Sequence, residues 1–204
     1  MSFFLYDRLG ECLDNDCDDR LGECLDNDET LRVFTPTSYI DELIRRNSFM
    51  IQRRKTISCL RSRSVQNMKL NHKNTLRVLL VDDMVINNKI MDKLLRKQSM
   101  DFNYNNLPIS VETTMVEDGL HALNHFFTHK TDFYHLIVMD AQMPVMNGFI
   151  ATKMLRKYGY KGYIVGSTGL QTNEYDYFIS CGADVVIEKP ILPSVVHNIL
   201  SNVL

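Results

Sequence analysis

No apolar run in this 204-residue chain approaches the roughly 18 residues that cross a bilayer, so no membrane-spanning helix is expected. The opening MSFFLYDRLGE has no basic segment ahead of its few apolar residues, which excludes a secretory signal. Nine glycines and five prolines are too few for a fibre or a low-complexity chain. A net charge of -2 excludes a protein that coats nucleic acid as a whole. The five cysteines (Cys12, Cys17, Cys24, Cys59 and Cys181) are odd in number and irregularly spaced. They form no CxxC pair and have no nearby histidine to complete a tetrahedral metal set. They point instead to a reducing compartment, hence an intracellular, cytoplasmic protein. Neither GxxxxGK[ST] nor GxGxxG occurs, so nothing is built to cradle a polyphosphate.

What is present falls into three regions. Residues 1–30 carry ten acidic side chains against two basic, and DRLGECLDND occurs at 7–16 and again at 19–28. DNDCDD has a passing likeness to a calcium loop. Numbered from Asp14, however, the turn glycine would be Asp19 and the closing glutamate Leu25. Two copies are too few for a solenoid, so a disordered acidic tail is expected. Residues 31–75 reverse the sign, with ten basic residues against two acidic. This reads as a basic linker that is helical in part, with Ser38 able to cap SYIDELIRRNSFMIQ. Ser48 and Thr56 each follow an arginine pair by two residues and are candidate phosphorylation sites in the linker.

From residue 76 the pattern changes. LRVLLV, SVETTMV, HLIVM, YIVGST and DVVIE read as strands, each followed by a segment of helical spacing. Five alternations with continuous apolar strands predict a parallel sheet buried between two helix layers. The fold class is therefore α/β, flavodoxin-like (βα)5, with strand order 2-1-3-4-5 and helices on both faces. The domain spans 76–204. QSMDFNYNNLPIS (98–110) is longer and more polar than an ordinary connection and is expected to be a surface loop. His121, His125 and His129 share a helix face, a spacing more typical of a solvated stripe than of a zinc site.

In such a sheet, ligands bind beyond the carboxyl ends of the strands. The first strand ends in Asp82-Asp83, the third in Asp140, the fourth in Ser167-Thr168 and the fifth in Glu188-Lys189-Pro190. The expected strand order makes the first and third strands neighbours, so three carboxylates converge. Close carboxylates repel, and a hard divalent cation with all-oxygen ligands is the natural remedy, which suits Mg2+. A carboxylate, a cation, an ammonium and a hydroxyl together make a phosphoryl-transfer site.

This constellation resembles the receiver domain of two-component response regulators, including the receivers of hybrid histidine kinases. The matching residues are Asp82-Asp83 after LRVLLV, Asp140 in VMDAQMPVMNG, Thr168 in GSTG, and Lys189-Pro190 in VIEKP. The resemblance implies that Asp140 is the phosphoacceptor for a phosphohistidine donor. It implies that Asp83 and Asp140 ligate Mg2+ with the backbone carbonyl of Gln142, and that Asp82 acts mainly through water. Thr168 would be the switch hydroxyl and Lys189 the phosphate-binding ammonium. The implied partners are a histidine kinase or a histidine-phosphotransfer protein, with no nucleic acid, no membrane, and a monomer or weak dimer. The domain would promote its own aspartyl phosphorylation and dephosphorylation. No histidine kinase core fits in 75 residues and no DNA-reading module follows, so signalling is expected through partners or by relay. The same pattern would suit a fragment of a larger hybrid kinase.

Two departures matter. Many receivers carry an aromatic three residues before the final lysine, where this chain has Val186. That weakens coupling through a swinging ring and tilts the reading towards phosphate relay. Leu170 and Gln142 lie where the family tunes hydrolysis of the acyl phosphate, and Leu170 cannot orient a water, so slow hydrolysis is expected. Three rivals stand beside this reading. A phosphatase of the haloacid-dehalogenase type needs an acid/base aspartate two residues after the nucleophile, where Gln142 stands. A nucleotide-binding sheet lacks its glycine motif. A phosphorylation-independent adaptor with a receiver fold remains the main alternative.

Overall fold

A computed structural model of the chain describes Arg45 and residues 74–129, 133–169 and 172–204. Arg45 is helical. The tail, the rest of the linker with Ser48 and Thr56, and Leu170 lie outside the described residues.

The strands are β1 (Thr75–Val81), β2 (Asn103–Tyr104), β3 (Leu107–Pro108), β4 (Ser110–Val116), β5 (Leu136–Asp140), β6 (Tyr163–Thr168) and β7 (Val185–Glu188). The helices are α1 (Val85–Gln98), α2 (Gly119–Thr128), α3 (Gly148–Lys157), α4 (Thr172–Cys181) and α5 (Pro193–Val203). Five strands form one sheet in the order β4-β1-β5-β6-β7, with every pairing parallel. This is the expected 2-1-3-4-5 order, a flavodoxin-like α/β fold.

Strand side chains alternate between faces, and that alternation divides the core. Leu76, Val78, Leu80, Leu136 and Val138 point to one side, where Met91 and Leu95 of α1 meet Val196, Ile199 and Leu200 of α5. Leu79, Val81, Ile137 and Met139 point to the other, against α2, α3 and α4 through Leu123, Phe126, Leu155 and Phe178. Leu76, Leu79, Leu123, Leu136 and Leu155 are fully buried. Truncating one such leucine to alanine costs about 2–5 kcal/mol. Val186 is half-buried against the second cluster, as a core residue.

Local chemistry sets the helix starts. The Asp118 side chain accepts from His121 N–H at 2.8 Å and caps α2. Asn147 accepts from Ile150 N–H at 2.9 Å and caps α3. Pro193 opens α5, where a missing N–H costs nothing.

The segment expected to be a plain surface loop is different. After a 3-10 turn at Ser99–Asp101 it folds into an antiparallel hairpin, with Asn103 facing Pro108 and Tyr104 facing Leu107. Asn105 and Asn106 both adopt positive φ, 52° and 61°, as a two-residue hairpin turn requires. Phe102 and Tyr104 then pack against the α1/α5 core, which explains why the extra residues are ordered.

Candidate functional site

The parallel register brings the carboxyl ends of β1, β5, β6 and β7 to one edge. Val81 pairs with Met139, Asp140 with Ser167, and Thr168 with Glu188. Whatever follows these positions must gather there. Carboxylate oxygens of Asp82, Asp83 and Asp140 lie within 4.8 Å of one another, close enough to share one cation. Among the described residues no other group of three metal-capable side chains converges in this way. Asp82 and Asp140 are buried and Asp83 is exposed, so the cluster opens to solvent on one side.

Lys189 enters from β7. Its Nζ lies 2.7 Å from Asp82 Oδ2 and 2.7 Å from Asp140 Oδ1. The peptide joining Lys189 to Pro190 is cis, and Lys189 N–H donates to the Thr168 carbonyl at 2.9 Å. That backbone bond fixes the lysine at the end of β6. Burial pulls the Lys189 ammonium down, but hydrogen bonds to Asp140 and Asp82 outweigh it and leave its pKa raised. Burial pushes the Asp140 carboxyl up from 3.8 to about 6; Lys189 opposes the shift, and the Asp82 and Asp83 charges add to it. The pocket therefore resists a third negative charge unless positive charge is supplied.

Asp82 is held by more than the lysine. Its Oδ1 accepts from Met84 N–H and from the Asn87 amide, both at 2.9 Å. The neighbouring Asn88 amide donates to the Asp82 and Val116 carbonyls at 3.1 and 3.2 Å, tying β1, β4 and α1 together. Sequence reasoning assigned neither asparagine a role. The available signal was a pair of asparagines in the first turn of a helix directly after a strand-ending acid.

Thr168 is buried at the end of β6. Its hydroxyl does not reach Asp140 but donates to Glu174 Oε2 in the first turn of α4. The exposed Gln142 amide donates to Glu174 Oε1 at 2.9 Å. Asp82, Asp83, Asp140 and Lys189 thus form one cluster, and Thr168 and Gln142 meet on Glu174. Glu174 was not singled out from the sequence.

Gly148 explains the turn after Asp140. Its N–H donates to the Ala141 carbonyl at 3.0 Å, and a Cβ there would overlap the Asp140 carbonyl oxygen. Only glycine lets α3 begin this close to the strand end. At the C-terminal end of α2, His125 and the C-cap His129 stack at 5.6 Å, and the His125 ring nitrogen lies 3.1 Å from the Tyr134 hydroxyl. None of the described helices is long and apolar enough to cross a membrane.

Known proteins resemble this chain in sequence and fold. The family model described as the response regulator receiver domain matches residues 78–201. Two-component response regulator 24 of Arabidopsis thaliana is 32% identical over 126 residues, covering 61% of this chain and 81% of its own length. The peroxide stress-activated histidine kinase mak1 of Schizosaccharomyces pombe is 32% identical over 138 residues. That match covers 65% of this chain but only 8% of the kinase. Among solved structures, the chemotaxis protein CheY4 of Vibrio cholerae superposes with a TM-score of 0.51 at 25% identity. It covers 64% of this chain and 99% of its own. With the fold, the strand-end acids and these matches in agreement, this chain belongs to the response regulator receiver domain family of two-component signalling.

Proposed function

We propose that residues 76–204 form a phosphoacceptor receiver in which Asp140 takes a phosphoryl group from a phosphohistidine. The observation that carries this reading is the Lys189 ammonium, 2.7 Å from the Asp140 carboxylate inside a cluster of three acids. An Asp140 oxygen attacks phosphorus, forming a P–O bond as the P–N bond of the donor breaks. The imidazole leaves with the electron pair and takes a proton from solvent. Lys189 meets the charge that spreads over the phosphoryl oxygens. Thr168 then offers its hydroxyl to one of those oxygens.

The all-oxygen donor set fits Mg2+. Asp83 and Asp140 would hold it with the backbone carbonyl of Gln142, and Asp82 would act mainly through water. When bound, the ion supplies positive charge that offsets the crowded carboxylates and the phosphoryl oxygens. The protein donors already on Asp82 (Met84 N–H, the Asn87 amide and Lys189) support its indirect role.

A protein donor, a histidine kinase or a histidine-phosphotransfer protein, is supported by the rim of the site. Met84, Val85 and Ile86 directly follow Asp83, Val145 lies in the loop after Asp140, and Leu192 follows Lys189 by three residues; all are exposed. Exposed apolar residues around a charged pocket suit a protein surface better than a small metabolite. Residues 1–30 serve as an acidic tail and 31–75 as a basic linker, with Ser48 and Thr56 as candidate modification sites. The output is an altered surface or onward relay of the phosphate. The adaptor reading is favoured by one observation, the Thr168 hydroxyl already satisfied by Glu174.

Incubation with acetyl phosphate and Mg2+ tests the proposal. The wild-type chain is expected to gain one hydroxylamine-labile phosphoryl group, and Asp140→Asn none, by intact mass. An unlabelled wild-type chain would establish the adaptor instead. Continuous turnover of substrate would establish a phosphatase.

A further inference from the structure

Thr168 directly follows Ser167, the strand partner of Asp140, Gln142 lies two residues after Asp140, and one carboxylate holds the side chains of both. Glu174 accepts from the Thr168 hydroxyl through Oε2 and from the Gln142 amide, at 2.9 Å, through Oε1. Its position in the first turn of α4 adds the favourable field of a helix N-terminus. Thr168 itself is almost fully buried, so its hydroxyl has few directions in which to turn.

A hydroxyl carries a single proton and donates one hydrogen bond at a time. Thr168 can therefore serve Glu174 or a phosphoryl oxygen, but not both. We propose that Glu174 is a positioning residue that holds the Thr168 hydroxyl and the Gln142 amide in the unphosphorylated protein, and that its release couples phosphorylation of Asp140 to α4. The proposal rests on the reading of Asp140 as phosphoacceptor and assigns the regulation of that site to a residue outside it. The phosphoryl dianion and the Glu174 carboxylate compete for one donor, and like charge keeps them apart. When the phosphoryl group wins, the first turn of α4 loses its Thr168 tether to β6.

This device also addresses the departure at Val186. A valine has no ring to swing between core and surface, and it packs against the α2–α3–α4 core. The Glu174 link supplies another route from Asp140 to α4, made of one hydroxyl and one carboxylate.

The test uses the full chain with acetyl phosphate and Mg2+, following intact mass and hydrogen exchange of the α4 amides. Glu174→Gln keeps shape and a neutral acceptor but removes the charge that strengthens the bond. It is expected to label roughly 3- to 10-fold faster than wild type, the loss of one charge-assisted hydrogen bond. Its α4 amides should exchange faster before any phosphate is added. Glu174→Asp, which keeps the carboxylate, should label close to the wild-type rate. In a Thr168→Ala background the gain should vanish, because the competed donor is gone. Wild-type labelling with Glu174→Gln at the same rate, or an equal gain without Thr168, would overturn the gate and leave the phosphoacceptor reading intact. An unlabelled wild-type chain would overturn both.

Discussion

Asp140 concentrates the conflict on which the site works. Its carboxyl is buried, sits beside two other acids, and is pushed up to about 6, with only Lys189 in opposition. A carboxyl whose folded pKa lies above its unfolded value stabilises the fold when protonated. That contribution is complete below the unfolded value of 3.8 and is lost as pH rises through about 6. In EDTA at pH 8, Asp140→Asn should therefore unfold at higher denaturant than wild type. The gap is expected to be on the order of 1–3 kcal/mol, closing below about pH 4. Added Mg2+ should stabilise wild type and leave Asp140→Asn nearly unchanged. Urea titrations at two pH values, with and without the ion, read all of this. A variant no more stable than wild type at pH 8 would show that Lys189 already neutralises the pocket.

At the scale of elements, the strand end and the following helix must approach closely for Asp140 to be presented at all. Gly148 permits this, since any Cβ there would overlap the Asp140 carbonyl. Gly148→Ala forces β5 or α3 to shift and is expected to cost roughly 2–4 kcal/mol, as overpacking against backbone does. Labelling by acetyl phosphate should fall with it, because the shift moves Asp140 relative to Lys189. A variant that folds and labels like wild type would show that α3 can retreat without disturbing the nucleophile. The β2–β3 hairpin teaches a related lesson about elements. Its polar sequence hides three core-facing residues, Phe102, Tyr104 and Ile109, that become legible only once the Asn105-Asn106 turn brings them back over α1 and α5.

For the molecule as a whole, the question is how long a phosphoryl group would stay. Leu170 offers no hydrogen bond to a water, and the Gln142 amide is turned towards Glu174. An acyl phosphate on Asp140 is thus expected to persist for minutes or longer, a lifetime suited to passing the group to a histidine on a partner. Loss within seconds after removal of acetyl phosphate, with no phosphatase added, would argue against relay. The family match fits either outcome, since it reaches a short plant response regulator and a kinase of which this chain spans 8%.

Periodicity alone determined the order of the five sheet strands and the five helices along the chain, because alternation along a strand and helical spacing are written in near neighbours. The acids after LRVLLV and HLIVM were legible for the same reason: a charge ending an apolar run marks the end of a buried strand. Thr168 and Lys189 were legible as strand ends facing the same edge, but their switch and phosphate-binding roles came from the resemblance, since a threonine or a lysine at a strand end has many ordinary uses. Tertiary structure decided the partners. Lys189 meets Asp82 across 107 positions of chain, and Asn87, Asn88 and Glu174 gained their roles only when α1 and α4 settled on the sheet. A hydrogen bond needs its partner within a few tenths of an ångström, and packing of distant segments fixes that distance, which no local pattern in the sequence can encode.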